Sequence, residues 1–313
     1  MSSPILKLQP DHPRPSPIST ALGIYIHIPF CVSKCSYCAF SSVTDRPSIL
    51  QEYLGAVHRE IDVYARSGVV TGRKASTIYF GGGTPSLVTP DGIAALIDHC
   101  DLAFGLDPEV EITLEANPET VSTEKLGGYR KAGVTRLSFG VQSFDERVLK
   151  DLGRVHTPAR VRRAYDQARL AGHTNINLDL IYGLPHQTLE QWRRTVQIAL
   201  ELGPEHLSAY ALTPEEGTPV GADVRDGVLV LPPDERVDAD EALLHDALQT
   251  RGYVRYEISN YARDGFACRH NVGYWHSADW LGFGAAAHGH LGPRRWGNAF
   301  GLAAYLEGSQ TNR

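Results

Sequence analysis

A chain of 313 residues with 30 Lys and Arg against 36 Asp and Glu can bury one large α/β core or two ordinary ones, and its formal charge of −6 offers no basic surface for nucleic acid. No apolar run reaches the length of a membrane span and no signal-peptide core opens the chain, so a cytoplasmic protein with no transmembrane segment is expected. Five cysteines without framework spacing fit a reducing compartment better than a disulfide scaffold.

Residues 1–20 place Pro4, Pro10, Pro13, Pro15 and Pro17 among polar residues and develop no apolar period, which reads as a disordered tail. From Gly23 onward, six short β-rich runs alternate with helical stretches: GIYIHIP, STIYF, VEITLE, TRLSFGV, INLDLIY and LSAYAL. Leu50, Leu54, Val57, Ile61 and Tyr64 recur at steps of three and four and predict a helix with one apolar stripe. Residues 90–104, 122–132, 158–172 and 188–202 read the same way, with Pro90 and Ser122 near their starts. Strand, helix, strand repetition forces a parallel α/β sheet, either doubly wound or curled into part of a barrel. The chemically informative residues follow the ends of several different strands, which favours a partial (β/α)6 barrel over residues 21–213. Past residue 213 turn formers such as Pro214, Gly217, Pro232 and Pro233 interrupt the alternation. A helix from Asp234 to Arg251 and a Gly- and aromatic-rich C-terminal appendix, residues 214–313, complete the chain.

Chemistry concentrates first in HIPFCVSKCSYCAF, where Cys31, Cys35 and Cys38 form a C-x3-C-x2-C set without a fourth cysteine. Three thiolates hold three irons of a 4Fe-4S cluster and leave the fourth open, which is the arrangement S-adenosylmethionine chemistry uses. A structural zinc site is the plainer alternative, but it needs four ligands, with His27 as the candidate fourth. Directly after the second strand comes FGGGTPS, in which Gly81, Gly82 and Gly83 allow backbone to approach a ligand without Cβ clashes.

These two runs, with LEANP at Leu114 to Pro118, RLSFGVQSF at Arg136 to Phe144 and NLDLIYGLP at Asn177 to Pro185, resemble the radical-SAM coproporphyrinogen III oxidase family from residue 23 to about residue 300. The resemblance implies a radical-SAM barrel carrying a 4Fe-4S cluster on Cys31, Cys35 and Cys38. It also implies S-adenosylmethionine on Gly82, Gly83 and Thr84, with Tyr25, Tyr37, Glu115, Gln142, Arg154 and Asp179 around it. Glu115 and Asp179, read as strand-end carboxylates, suit hydroxyl or amino groups, and the Arg154 fork suits a carboxylate.

The family has an oxidase branch that decarboxylates porphyrinogen propionates and a heme-chaperone branch. Phe40, where the oxidase carries a further cysteine, the short Pro-rich start and the run HNVGYW all resemble the chaperone branch. That likeness implies heme as a third cofactor, bound through His270, Asn271, Tyr274 and Trp275, with Cys268, His288 and His290 as competing ligands. It implies a heme-accepting partner, cytoplasmic or membrane-bound, and leaves a homodimer open. Chaperone-type members continue into a helical C-terminal domain, whereas this sequence ends at Ser309 to Arg313.

Overall fold

Strand side chains alternate between two faces, and in this chain the alternation is apolar on one face and polar on the other. The computed structural model describes residues 22–44 and 47–311, so the proline-rich segment 1–20 lies outside the described residues. Strand β1 (Leu22–Ile28) leads through a short parallel pair, β2 (Phe30–Cys31) and β3 (Val43–Thr44), into α1 (Leu50–Ser67). The regular part continues with β4 (Ala75–Gly82), α2 (Pro90–Phe104), β5 (Leu106–Ala116), α3 (Thr123–Lys131) and β6 (Arg136–Gln142). It ends with α4 (Glu146–Asp151), α5 (Pro158–Leu170), β7 (Ile176–Tyr182), α6 (Leu189–Leu202) and β8 (His206–Ala211).

The six long strands stand in the order β1, β4, β5, β6, β7, β8, and each neighbouring pair is parallel. This is the α/β partial barrel that the alternation predicts. Helix starts are fixed locally: the hydroxyls of Thr89, Ser122 and Thr157 accept N–H bonds from Gly92, Lys125 and Arg160, and Thr188 with Gln191 forms a reciprocal capping box. Ile24, Ile78, Ile112, Leu137 and Leu178, all at most 3% exposed, face the helices and join Val57, Ile93, Leu126, Val161 and Trp192 in one core. Each such burial contributes about 2 kcal/mol. The opposite face carries Tyr25, Tyr79, Glu115, Ser138, Asn177, Asp179 and His206, and this polar lining is where the site lies.

The rest of the chain comprises α7 (Pro219–Arg225), α8 (Asp234–Gln249), β9 (Val254–Arg255), β10 (Asn260–Ala262) and α9 (Arg269–Trp275), then β11 (Trp280–Phe283), β12 (His288–Leu291), β13 (Arg294–Gly297) and α10 (Leu302–Thr311). Its strands extend the main sheet at both edges. β11 pairs in parallel with β1, followed by antiparallel β12 and β13, while antiparallel β10 and β9 follow β8. Strands of two to four residues are too short to show an alternation, so they leave no periodic signal in the sequence. Among the described residues no helix is long and apolar enough to cross a membrane.

Candidate functional site

The three cysteines occupy the connection that leaves the C-terminal end of β1. Cys31 closes β2 opposite Thr44, and the Cys38 amide donates to the Cys35 carbonyl (3.2 Å), turning the loop back on itself. Burial, then the negative charge of Cys35 and Cys31, pushes the Cys38 thiol up. Three thiols on one short loop are the ligand type that an iron-sulfur cluster takes. Among the described residues no three His, Cys, Asp or Glu side chains are grouped to hold a metal ion. Cluster thiolates each bind a different iron and so have no need to converge on one point.

His27 does not complete a zinc set. Its Nε2 faces the Ser41 carbonyl (2.9 Å) and so carries the proton, while Nδ1 accepts from the Tyr25 hydroxyl (3.0 Å), leaving neither nitrogen a lone pair for metal.

The glycine run packs against this loop. The Gly83 and Thr84 amides donate to the carbonyls of Ile28 (2.9 Å) and Phe30 (2.7 Å). A Cβ on Gly83 would lie 2.7 Å from the Phe30 oxygen and 3.0 Å from Cys31 Sγ, and one on Gly82 would strike the His27 ring at 2.5 Å. Gly82 and Gly83 therefore allow the cysteine strand itself to approach, besides any ligand. Gly81 faces the polar lining, where a Cβ would meet Tyr25, Tyr79 and Glu115 at 3.0 to 3.2 Å. Thr84 is 1% exposed and turned inward, its hydroxyl 3.7 Å from Cys31 Sγ and accepting from Asn117 Nδ2 (3.0 Å).

Beyond the glycines, Glu115 accepts from the Tyr79 hydroxyl (2.8 Å) and the Gly82 amide (3.2 Å). Burial, then the charge of Asp179, pushes its carboxyl up to about 7. Asp179 lies mid-strand in β7 rather than at its end. Ser138 Oγ (3.0 Å) and Asn177 Nδ2 (2.8 Å) hold it, and burial raises its pKa. Both carboxylates remain partly accessible, unlike the apolar residues beside them in the strands. Gln142 ends β6 in the left-handed region (φ 65°), at the point where the register with β7 shifts. Arg154 donates to Gly140 O (2.6 Å), Asn117 Oδ1 (2.7 Å) and Cys35 Sγ (3.5 Å), while its buried Nε has no partner. An unpartnered guanidinium N–H beside an electron-rich loop suits a carboxylate. Tyr37 packs with Val148, Leu152, Ile181 and Leu184, and its hydroxyl interacts with Cys35.

Sequence reading missed Asn117. It joins Thr84 to Arg154 and so ties the glycine turn to the guanidinium. Its place inside LEANP was the available signal.

The HNVGYW run lies elsewhere. Helix α9 closes the N-terminal ends of the strands, with Glu111 accepting the backbone N–H groups of Arg269 (3.1 Å) and His270 (3.2 Å). His270 is 4% exposed, with Nδ1 2.8 Å from the Thr77 hydroxyl and Nε2 2.8 Å from the Tyr274 hydroxyl. Burial, then the nearby Arg136 charge, lowers its pKa to about 3. An iron on either nitrogen must displace one of those hydroxyls. Trp275 is 56% exposed and donates to Glu257 (3.1 Å), and Tyr274 packs edge-on against Trp280. The Asn271 backbone bonds the Cys268 thiol, which burial pushes up to about 12 and so keeps protonated. His290 is bonded to Ala278 O (3.0 Å), and His288 is exposed on β12. The structure therefore gathers the cysteine, glycine, Glu115 and Arg154 positions toward the C-terminal ends of the strands, leaves Asp179 midway, and sets the HNVGYW helix toward the N-terminal ends, where the His270 ring lies 5.2 Å from Tyr79 and 6.5 Å from Tyr25.

Comparison with known proteins follows the same lines. The radical SAM superfamily matches residues 25–199. Heme chaperone HemW of Mycobacterium tuberculosis is 40% identical over 290 residues, covering 91% of this chain and 73% of the relative. Heme chaperone HemW of Escherichia coli is 41% identical over 272 residues, covering 86% and 70%. The solved structure of coproporphyrinogen III oxidase (HemN) from Escherichia coli, described as a radical SAM enzyme, superposes with a TM-score of 0.80 at 27% identity, covering 93% of this chain and 69% of that one.

Proposed function

Because the chain belongs to the radical SAM superfamily and, within it, to the HemW family, we propose that it is a heme chaperone that binds heme, a 4Fe-4S cluster and S-adenosylmethionine and passes heme to an acceptor protein. The observation that carries this reading is the 40% identity to a named heme chaperone across 91% of the chain. In it, Cys31, Cys35 and Cys38 hold the cluster. Arg154 Nε receives the S-adenosylmethionine carboxylate, and Glu115 and Asp179 accept from its amino or ribose groups. Gly82, Gly83 and Thr84 shape the methionine end, and Tyr25, Tyr37 and Gln142 border it. When bound, the cluster and S-adenosylmethionine supply one-electron chemistry at the sulfonium.

The chain's own contribution is placement. Asn117 and Gly140 O fix the Arg154 fork, Ser138 and Asn177 fix Asp179, and Glu115 at about 7 exchanges a proton near neutrality. Five free cysteines suit a reducing cytosol, where the acceptor is a cytoplasmic or membrane-bound heme protein.

The test is anaerobic incubation of the reconstituted protein with coproporphyrinogen III, S-adenosylmethionine and a reductant, beside a hemin titration. Stoichiometric hemin uptake without protoporphyrinogen is expected. Protoporphyrinogen formation without hemin uptake would overturn the reading in favour of the oxidase.

A further inference from the structure

Helix α1 follows the cysteine loop and α2 follows the glycine turn, and the two helices pack against each other. On α1, His58 and Asp62 stand about one turn apart and so share a face. His99 reaches that face from α2. All three side chains meet solvent: His99 is 19% exposed, Asp62 47%, and His58 partly exposed.

Hydrogen bonding fixes the protons of this group. His99 Nε2 donates to Asp62 Oδ1 (2.9 Å), so His99 Nδ1 carries a lone pair. That lone pair faces His58 Nδ1 at 2.6 Å, and a single proton lies between the two nitrogens. The ring planes are inclined by only 21° with centroids 4.9 Å apart, which sets the rings edge to edge with both nitrogens aimed into one gap. Burial, then the neighbouring His99, holds the His58 pKa below its ordinary value and keeps that ring neutral near neutrality. His58 Nε2 makes no hydrogen bond among the described residues, so the shared proton can move there and free a second lone pair for a metal ion. The carboxylate behind His99 is the partner that a metal-ligating imidazole ordinarily has on its other nitrogen, where it fixes the tautomer and raises the ligand's basicity.

Distance selects the ion. Metal–nitrogen bonds of about 2.0 to 2.1 Å put two nitrogens about 2.9 Å apart in neighbouring octahedral or tetragonal positions and about 3.3 Å apart in a tetrahedron. The observed gap is nearer the first. The geometry points to a site for a divalent transition-metal ion of the nickel or copper type between α1 and α2, with the Nδ1 atoms of His58 and His99 as ligands, water in the remaining positions and Asp62 holding His99. An ion there clasps the helix that leaves the cysteine loop to the helix that leaves the glycine turn, and the site stands independently of the heme-chaperone reading.

The experiment is anaerobic equilibrium dialysis of the tag-free, cluster-reconstituted full chain against nickel(II), with thermal unfolding and cluster absorption followed in parallel. The wild type should bind one more nickel ion than His58→Ala or His99→Ala, and Asp62→Asn should weaken that ion by about tenfold. Nickel should raise the unfolding temperature of the wild type and of neither histidine variant, with cluster absorption the same in all. His58→Gln, which keeps the side chain's bulk in place, should lose the ion as His58→Ala does. Equal nickel stoichiometry and an equal thermal shift in the wild type and the histidine variants would overturn the site.

Discussion

Along the polar face and the C-terminal ends of the strands, polar groups are incompletely satisfied: Arg154 Nε has no partner, Glu115 and Asp179 remain partly accessible, and the Asp179 charge adds to burial in raising the Glu115 pKa. At the N-terminal ends Glu111 gathers the start of α9 and His270 is held between Thr77 and Tyr274, while the buried Arg136 Nε there has no partner either. One end is built to receive something. The other is built to stay shut. The HNVGYW motif, taken from sequence as a ligand set, sits at the shut end in this structure.

The sharpest way to break that comparison is Glu111→Ala. It leaves the N–H groups of Arg269 and His270 without their acceptor and removes a negative charge near the Arg136 guanidinium, 1% exposed, so a loss of about 2 to 3 kcal/mol is expected in denaturant unfolding. A loss within about 0.5 kcal/mol would mean that the base is not a sealed element.

The two ends should also respond oppositely to pH. Glu115 is raised from 4.5 to about 7, so the folded state keeps a proton that the unfolded state releases. Its stabilising share is full below pH 4.5 and is lost as pH rises through 7, a change of about 2 to 3 kcal/mol that Glu115→Gln should flatten. His270 is lowered from 6.5 to about 3, so the unfolded state takes the proton first. Stability is then full above 6.5 and falls on acidification, by about 2 kcal/mol at about pH 5, and His270→Gln should remove that limb. Stability measured against pH in the two variants checks both slopes, and identical profiles would erase the distinction. A smaller effect, about 1 kcal/mol, is expected from Thr188→Ala, which removes the α6 capping box and should move neither pH limb.

Much of this was legible in the sequence because the six long strands alternate cleanly and the helices between them carry caps and apolar stripes. The Cys31, Cys35 and Cys38 loop and the glycine turn were legible as well, since the spacing of three thiols is itself chemistry. The edge strands β9 to β13 were not, being too short for a period. Nor was the role of Asn117, which depends on a contact with Arg154 37 residues away. The closed state of His270 was hidden for a similar reason, because its partner Thr77 lies 193 residues earlier.

The most direct measurement is EPR of the anaerobically reconstituted, reduced protein before and after S-adenosylmethionine is added, in wild type, Cys35→Ala and His270→Ala. The division between an open and a shut end predicts a 4Fe-4S signal that S-adenosylmethionine perturbs in wild type and equally in His270→Ala, and no cluster signal in Cys35→Ala. A cluster signal indifferent to S-adenosylmethionine, or one that His270→Ala changes as much as the cofactor does, would contradict it.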